Sequence, residues 1–480
     1  MIHLENNSVI NKNNIQYRKF ITDKGIELAV IEPGFILNKS AMFVWDQIYN
    51  GITYEKLLLK IEKYFDSSIT DDLESKILKI LTDFLGNNLI TINHSNLNNL
   101  LEDKFDIKTE VDISKDLNTT VITQIDMVLT TKCNFRCRHC FIKNNSDGFT
   151  MNFLLWKRII DKLCNQGLTS VVVTGGEPLL YKELTPILNY INDKKLNIHL
   201  LTNGYLIDDN FIEEIRKFNN VIVQVSLDGS NSITQKYQRL IENSFDVVTK
   251  NIKKLTDSGI VVNVAMVLNK QNIYDLYNGS MFDLCEKLRV NMLAITPTVI
   301  NIENAKTNKK MFLDIEEVIK MIEFVKSTVN SNKYGYKIIV STAPSLVEDN
   351  SIKKIKGKRF RCRRGTNSFS VRPNGDVFVC SDFAEVGFSD YILGNILNDN
   401  LDDILNKLNK ISINKIEMLD KIKGVCSICK ELPYCGGACR ADAYAMYNDI
   451  YGPYSPCQLM YDKGIFPENL IDKFATYRKI

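Results

Sequence analysis

The 480-residue chain lacks an apolar run long enough to span a bilayer, and its first residues, MIHLENNSVINKNN, lack the apolar core of a signal peptide. These absences argue against a membrane protein and predict a cytoplasmic one. A charge excess is also missing, because 60 Lys and Arg face 57 Asp and Glu, a formal net charge of +3. So small a charge gives no electrostatic basis for binding nucleic acid or an anionic membrane.

Cysteine, in contrast, is present twelve times and is clustered. Ten of the twelve lie within residues 133–140 and 362–457. Disulfides are rare in a reducing cytoplasm, so this clustering predicts metal binding. Cys164 and Cys285 stand alone in predicted helices, where we expect them to be small core residues.

Changes of pattern along the chain predict an α/β protein with several domains. Residues 1–95 combine strand-like runs with three amphipathic stretches, which predicts a winged-helix-like domain. A polar linker follows over 96–120. Residues 121–300 contain six short β-branched runs that alternate with amphipathic stretches, as parallel βα units do. This alternation predicts a partial (β/α)6 TIM-like barrel.

The remainder divides into a connector over 301–360, a cysteine-dense region over 361–460 and a C-terminal tail over 461–480. Residues 361–460 are rich in predicted loops and poor in apolar core positions. We therefore expect bound metal to supply much of the stability of this region.

The segment TTKCNFRCRHC, residues 130–140, follows the first predicted barrel strand and holds Cys133, Cys137 and Cys140. Each iron of a 4Fe–4S cluster needs one ligand from outside the cluster, so three thiolates leave one iron open to a substrate or cofactor. A zinc site that includes His139, or three structural cysteines, is the alternative interpretation.

This spacing resembles the hallmark of the radical S-adenosylmethionine (SAM) superfamily, with His139 where an aromatic ring is usual. The resemblance implies that the open iron chelates the amino and carboxylate groups of SAM. One electron then cleaves SAM to methionine and a 5′-deoxyadenosyl radical, which removes a hydrogen atom from the substrate. The cofactors carry this chemistry, and the protein positions and shields them.

Three further motifs at predicted strand ends, and one arginine, resemble cofactor-contacting elements of that superfamily. They are GGEP (Gly175, Gly176, Glu177 and Pro178), TNG (with Asn203), SLDG (with Ser226 and Asp228) and Arg239. By resemblance, Glu177 accepts a hydrogen bond from the methionyl ammonium, and Arg239 lies near the cofactor carboxylate. The segment before Arg239, ITQKYQR, departs from the His-Asp that many relatives show there.

The second cysteine group resembles the seven-cysteine signature of the SPASM extension of peptide- and protein-modifying radical enzymes. A zinc ribbon is the structural alternative. By resemblance, one auxiliary 4Fe–4S cluster is fully ligated and a second lies nearer the active site. The first set comprises Cys426, Cys429, Cys435 and Cys457, and the second comprises Cys362, Cys380 and Cys439.

The second auxiliary cluster thus has three predicted thiolates, because residues 351–361 contain no eighth cysteine. Its remaining iron is either open or held by an acid such as Asp382. Asp382 is also the candidate for a catalytic acid or base, and a simple turn residue is the alternative interpretation. An open iron would bind a substrate thiolate, since coordination deprotonates a thiol, and would favour C–S bond formation.

The N-terminal segment ELAVIEPGFILNKSAMFVWDQIYNGITYEKLLLKI resembles the leader-recognition domain of peptide maturases, which is related to the peptide chaperone of the pyrroloquinoline quinone pathway. The resemblance implies that an extended leader peptide binds along a sheet edge. A DNA-binding winged helix is the alternative, but the predicted helices mix Lys with Glu and Asp and offer no basic face.

The sequence therefore predicts a peptide maturase with SAM and three 4Fe–4S clusters, similar to sactipeptide and ranthipeptide enzymes. It would bind a cysteine-containing precursor peptide with a leader, take electrons from a flavodoxin or ferredoxin, and install an intrapeptide thioether. The alternatives are a carbon–carbon crosslinking maturase, a formylglycine-generating sulfatase enzyme, and a leader-binding scaffold or electron carrier.

Overall fold

The computed structural model describes most of the chain in fourteen ranges. These are residues 9–12, 17–21, 27–31, 35–37, 39–48, 51–65, 69–86, 89–93, 121–140, 150–298, 311–342, 367–385, 391–411 and 416–480. The predicted linker over 96–120 lies outside them. Two compact units are present, one formed by Met1–Thr123, Lys162–Thr169 and Asp349–Lys358, the other by Gln124–Asp161, Ser170–Glu348 and Arg359–Ile480.

Within the described residues of the range 9–93, the N-terminal unit contains two small antiparallel sheets and three helices. Its strands are β1 (Val9–Lys12), β2 (Tyr17–Ile21), β3 (Glu27–Ile31), β4 (Phe35–Leu37), β5 (Ile52–Thr53) and β6 (Ile90–Asn93). The helices are α1 (Lys39–Gln47), α2 (Tyr54–Phe65) and α3 (Asp71–Gly86). One sheet has the order β5-β1-β6 and the other has the order β2-β3-β4.

Helical spacing of apolar residues explains the core of this unit. In α2, Leu57 and Ile61 are buried four residues apart, whereas Lys56 and Lys60 are exposed. The α1 and α3 helices meet where Trp45 packs edge-on against Phe84, with 5.3 Å between ring centroids. The winged-helix-like fold of this unit stays a prediction.

A ten-stranded sheet forms the centre of the second unit, in the order β13-β12-β11-β10-β9-β8-β7-β14-β15-β16. Its strands are β7 (Gln124–Val128), β8 (Ser170–Thr174), β9 (Asn197–Thr202), β10 (Val221–Ser226), β11 (Val261–Leu268), β12 (Met292–Pro297), β13 (Lys337–Val340), β14 (Ser368–Val371), β15 (Asp376–Phe378) and β16 (Ile392–Asn395). The six strands β7 to β12 are those that the sequence predicts. All their pairings are parallel, and the linear order is that of an open, partial barrel.

Helices connect the parallel strands and cover one face of the sheet. They are α4 (Phe153–Cys164), α5 (Leu184–Asp193), α6 (Asp209–Ile215), α7 (Ser232–Arg239), α8 (Ser244–Asp257), α9 (Ile273–Tyr277), α10 (Ser280–Lys287) and α11 (Ile315–Asn330). In β9, β10 and β11 buried residues alternate with partly exposed ones. One face is therefore core, and the other lines the open side of the barrel. Cys164 and Cys285 are buried, as expected of small core residues.

The C-terminal region continues the same sheet. Strand β14 pairs in parallel with β7, in the register Ser368↔Gln124, and β15 and β16 add antiparallel strands beyond it. The remaining helices are α12 (Ser381–Glu385), α13 (Leu401–Ile411), α14 (Ile416–Leu419), α15 (Leu432–Cys435), α16 (Arg440–Tyr447) and α17 (Ser455–Asp462). No helix in the described ranges has both the length and the apolar character needed to cross a membrane.

Candidate iron–sulfur and cofactor site

The loop that carries Cys133, Cys137 and Cys140 leaves the C-terminal end of β7. Cys133 and Cys137 are partly buried and Cys140 is exposed. The loop is held against α7, because the Arg138 N–H donates to the Gln238 carbonyl (3.0 Å) and Arg138 Nε donates to the Tyr237 carbonyl (2.8 Å). The three thiols are therefore presented together at the edge where sites of parallel α/β folds form.

The GGEP turn after β8 packs directly on the start of this loop. The Gly176 N–H donates to the Thr130 carbonyl, and the Glu177 N–H donates to the Lys132 carbonyl, both at 2.8 Å. A Cβ on Gly175 would lie 2.4 Å from Thr130 O, and one on Gly176 would lie 2.2 Å from Lys132 O. Glycine is required here because the two backbones touch.

Glu177 is buried, and its carboxylate connects its own turn with the end of β9. Its carboxylate accepts hydrogen bonds from the Leu179 N–H (3.1 Å), the Thr202 hydroxyl (2.7 Å) and the Asn203 N–H (2.8 Å). Burial raises the pKa of Glu177, and these hydrogen bonds oppose the rise. A carboxylate has about four acceptor positions. Three protein donors thus leave about one for a cofactor ammonium.

Asn203 extends the same network to the cysteine loop. Its Nδ2 donates to Asn134 Oδ1 at 2.7 Å, and Asn134 adjoins Cys133. Phe135, which is 2% exposed, packs edge-on against Tyr205 with 5.4 Å between ring centroids. Sequence reasoning did not identify Asn134 or Phe135, although their place between the cysteines is a signal that could have found them.

Asp228 and Arg239 form a buried ion pair beside the loop. Arg239 Nε lies 2.6 Å from Asp228 Oδ2, and Arg239 Nη1 lies 3.5 Å from Cys137 Sγ. Burial disfavours the charge of Arg239, but Asp228 and the Cys137 sulfur outweigh it and raise its pKa. Burial also raises the pKa of the Cys137 thiol, and the positive charge of Arg239 opposes this rise. Arg239 is thus already in contact with a predicted cluster ligand.

Three more residues of the site lie on the cysteine loop, at the end of β10 and after Glu177. His139 Nδ1 is 4.0 Å from Asp228 Oδ2, and burial lowers the pKa of His139 to about 4, so the ring is neutral near pH 7. Ser226 ends β10 and is partly buried, two residues before Asp228. Pro178 is buried at the start of a short 3-10 helix after Glu177. The predicted cofactor-contacting residues therefore follow β8, β9 and β10 at one edge of the sheet.

A second sulfur-rich site lies in the C-terminal region. Its cavity, about 280 Å³ including space open to solvent, is lined by Cys426, Cys429, Cys435 and Cys457. Burial raises the pKa of Cys429 to about 11 and that of Cys435 to about 12. Backbone N–H groups point at three of these sulfurs, from Tyr454 to Cys426, from Glu431 and Leu432 to Cys429, and from Gly437 and Ala438 to Cys435.

This donor set fits an iron–sulfur cluster, because hydrogen bonds to the sulfurs stabilise thiolate ligands and tune the cluster. Cys133 has the same feature, since the Phe135 N–H lies 3.4 Å from its Sγ. Within the described ranges no three His, Cys, Asp or Glu side chains converge on a single metal ion. A cluster distributes its cysteines over separate iron atoms, so it needs no such convergence.

The remaining predicted ligands are placed individually. Cys380 is buried after β15, and Cys439 is partly buried just before α16. Cys362 lies outside the described residues. Asp382 is exposed in the first turn of α12, a position that suits a carboxylate at a helix N-terminus. The neighbouring Ser381 hydroxyl lies 3.0 Å from the buried Asp126 Oδ2 on β7.

Two protein-family models match the chain. Residues 127–278 match the radical SAM superfamily, and residues 362–431 match an iron–sulfur cluster-binding domain named SPASM. The first match contains the three-cysteine loop and all the predicted cofactor-contacting residues. These two domains imply SAM and 4Fe–4S clusters as cofactors.

The relatives of the chain include proteins whose names refer to different roles. The chain is 26% identical to the antilisterial bacteriocin subtilosin biosynthesis protein AlbA of Bacillus subtilis over 58% of each chain. It is 23% identical to the Fe-coproporphyrin III synthase of Methanosarcina barkeri, over 72% of this chain and 89% of that protein. It is also 23% identical to the sporulation killing factor maturation protein SkfB of Bacillus subtilis, over 61% of this chain and 67% of SkfB.

Among solved structures, Streptococcus suis SuiB bound to S-adenosylmethionine has the same fold. The TM-score is 0.63 at 16% identity, and the match covers 93% of this chain and all of SuiB. SuiB bound to its precursor peptide SuiA matches with a TM-score of 0.62 at 16% identity, over 95% of this chain and all of SuiB. The chain therefore contains a region that matches the radical SAM superfamily and one that matches the SPASM domain, and it shares the fold of SuiB.

Proposed function

We propose that the protein is a peptide maturase that binds the leader of a precursor peptide and installs an intrapeptide thioether between a cysteine sulfur and a carbon atom. The observation that carries the proposal is the presence of two cysteine-bearing sites in one unit. One is the three-cysteine loop after β7, and the other is the four-cysteine cavity of the SPASM domain. The names of AlbA and SkfB, which refer to peptide biosynthesis and maturation, support a peptide as the substrate.

When bound, the cluster and SAM would supply the 5′-deoxyadenosyl radical that removes a hydrogen atom. Cys133, Cys137 and Cys140 would hold that cluster. Glu177 would offer its remaining acceptor position to the SAM ammonium, and Asn203 would position the cysteine loop through Asn134. These side chains are already fixed by hydrogen bonds, so little reorganisation is needed on cofactor binding.

In the SPASM domain, Cys426, Cys429, Cys435 and Cys457 would ligate one auxiliary cluster fully. Cys362, Cys380 and Cys439 would hold a third cluster, with one iron left for a substrate thiolate or for Asp382. Joining S–H and C–H into a thioether removes two hydrogens. One leaves as the hydrogen atom that forms 5′-deoxyadenosine, and the other leaves as a proton and an electron. A redox centre near the substrate is therefore needed as electron acceptor.

The N-terminal unit would recognise the leader. In the described part of this unit, β2 and β4 are the edges of a three-stranded sheet, and an extended peptide can add to such an edge through backbone hydrogen bonds. The SuiB structure with a bound precursor peptide supports a peptide partner for this fold. A flavodoxin or ferredoxin would supply the electron for SAM cleavage.

The test is mass spectrometry of a cysteine-containing precursor peptide after anaerobic reaction with the reconstituted protein and SAM. We expect loss of two hydrogens per crosslink, with the cysteine no longer alkylatable. The Cys140→Ala variant should release no 5′-deoxyadenosine, whereas Cys380→Ala should release it without forming the thioether. A precursor without its leader is the matched substrate control.

The same measurement separates the alternatives. Loss of two hydrogens with every cysteine still alkylatable would contradict the thioether and identify a carbon–carbon crosslink. Conversion of a cysteine to formylglycine would identify the sulfatase-type reaction. A protein that binds the leader and holds clusters but never cleaves SAM would be a scaffold or electron carrier.

A further inference from the structure

The buried Asp228–Arg239 pair has a contact that cofactor binding alone does not explain. Arg239 is 6% exposed and Asp228 is fully buried. The guanidinium spans the space between the carboxylate and the cysteine loop, with Nε 2.6 Å from Asp228 Oδ2 and Nη1 3.5 Å from Cys137 Sγ. One face of a buried cation is thus directed at the sulfur of a predicted cluster ligand.

The pair is also fixed in place from both ends. Asp228 Oδ1 accepts a hydrogen bond from the Val267 N–H of β11 at 2.9 Å, and the Asp228 N–H donates to Gln235 Oε1 at 2.8 Å. Arg239 is the last residue of α7, whose neighbouring Gln238 carbonyl receives the Arg138 N–H of the loop. The distance from the guanidinium to Cys137 is therefore set by the sheet and by α7 together.

A positive charge in this position has a defined electrostatic effect. Reduction adds one negative charge to an iron–sulfur cluster, and the interaction between charges is stronger away from water. Hydrogen bonds to cluster sulfurs and the net charge around them are among the features that set reduction potentials. A buried guanidinium at Cys137 therefore favours the reduced state.

We propose that Arg239 raises the reduction potential of the cluster held by Cys133, Cys137 and Cys140, and that Asp228 limits this effect by opposing its charge. The inference rests on the three-cysteine cluster of the proposed function, and it is independent of the peptide substrate. It differs from a role at the SAM carboxylate, because it acts on the cluster before SAM binds.

The two charges make predictions of opposite sign. Arg239→Gln removes the cation, so the cluster should become harder to reduce. Asp228→Asn removes the opposing anion and leaves the cation, so the cluster should become easier to reduce. A purely structural role predicts instead that both variants lose iron, since breaking a buried ion pair leaves one partner uncompensated.

The experiment is a redox titration of the full-length reconstituted protein, followed by electron paramagnetic resonance without SAM. The signal of interest is the part absent from the triple variant Cys133→Ala, Cys137→Ala, Cys140→Ala. For Arg239→Gln we expect about a tenfold smaller equilibrium constant for reduction, which is about 59 mV for one electron. Asp228→Asn should shift in the opposite direction, and Arg239→Lys should lie between wild type and Arg239→Gln.

Lys132→Gln is the matched control, because Lys132 lies in the same loop and its side chain is exposed. Water screens its charge, so its shift should be well below that of Arg239→Gln. Full iron content with an unchanged potential in Arg239→Gln would overturn the inference, as would equal iron loss in both variants. Absence of a three-cysteine-dependent signal in the wild type would overturn the cluster assignment, whereas failure to form a thioether would leave these potentials measurable.

Discussion

At the scale of single residues, side chains that are predicted to bind the cofactor already form hydrogen bonds or an ion pair within the protein. Sequence motifs predict that Glu177 and Arg239 contact the cofactor. In the fold, Glu177 accepts three hydrogen bonds from the chain, and Arg239 pairs with Asp228. A motif reports which residue types occur together, but it does not report how many of their hydrogen-bonding positions the protein itself uses.

Gly176 offers a direct test at this scale. Its missing Cβ leaves room for the Lys132 carbonyl, which a methyl group would approach to 2.2 Å. We expect Gly176→Ala to displace the start of the cysteine loop, to cost about 1–3 kcal/mol of stability and to lower the iron bound per chain. Thermal unfolding and iron analysis of the reconstituted protein measure both effects.

Gly335→Ala is the matched control for this substitution. A Cβ at Gly335 would lie 3.5 Å from Glu286 Oε1, an ordinary contact. We expect a stability change within about 0.5 kcal/mol and wild-type iron content. Equal iron content in the Gly176→Ala and Gly335→Ala variants would contradict the role assigned to the GGEP turn.

At the scale of elements, α7 is the support of the cysteine loop. Asn231 caps this helix, since its Oδ1 accepts from the Ile233 N–H (3.0 Å) and the Thr234 N–H (3.1 Å). The C-terminal turn of the helix then provides the Tyr237 and Gln238 carbonyls to Arg138. A helix that frays at its start would therefore loosen a loop at its other end.

Substitution of the cap tests this connection. We expect Asn231→Ala to cost about 1 kcal/mol of stability and to speed the loss of iron to a chelator, because the helix loses its N-terminal acceptor. Asn231→Ser retains an oxygen acceptor without adding a negative charge beside Asp275 and should behave as wild type. Wild-type rates of iron loss in Asn231→Ala would show that α7 does not hold the loop.

Strands with continuous apolar sequences could be predicted from the sequence, whereas a buried strand with polar residues could not. Strands β7 to β12 are central or nearly so, and buried parallel strands read as continuous β-branched runs. Strand β14, with the sequence SFSV, was not predicted, because Ser368 and Ser370 look like loop residues although both are buried. The Ser370 hydroxyl contacts Ser381, which in turn contacts Asp126, and these long-range partners leave no periodic signal in the sequence.

At the scale of the whole molecule, charge is balanced overall but not at the cysteine loop. The chain has a formal net charge of +3. The segment of residues 130–140 contains Lys132, Arg136 and Arg138 and no acidic residue, and these three side chains are exposed. The exposed Cys140 lies in the same segment. The cysteine loop thus carries exposed positive charge on a nearly neutral protein, and in the proposed function an electron enters there.

This distribution predicts that an acidic flavodoxin or ferredoxin reduces the protein through electrostatically steered encounters. The rate of reduction should fall with rising salt, and Arg136→Gln and Arg138→Gln together should lower it by roughly tenfold at low salt. Lys407→Gln, an exposed substitution on α13, should leave the rate unchanged. Stopped-flow measurements at several ionic strengths provide the test, and a salt-independent rate would contradict it.

The parallel pairing of β14 with β7 has a consequence for engineering. A single hydrogen-bond ladder connects the strand that leads into the three-cysteine loop with the strand that begins the C-terminal region. Recombining this C-terminal region with the barrel of another enzyme would therefore require a chimera whose junction preserves the Ser368↔Gln124 register. A shift of one residue would turn Ser370 away from Asp126 and reverse the faces of the whole hairpin. Two separate family matches suggest two independent domains. The pairing of β14 with β7 shows instead that the two matched regions share one continuous sheet.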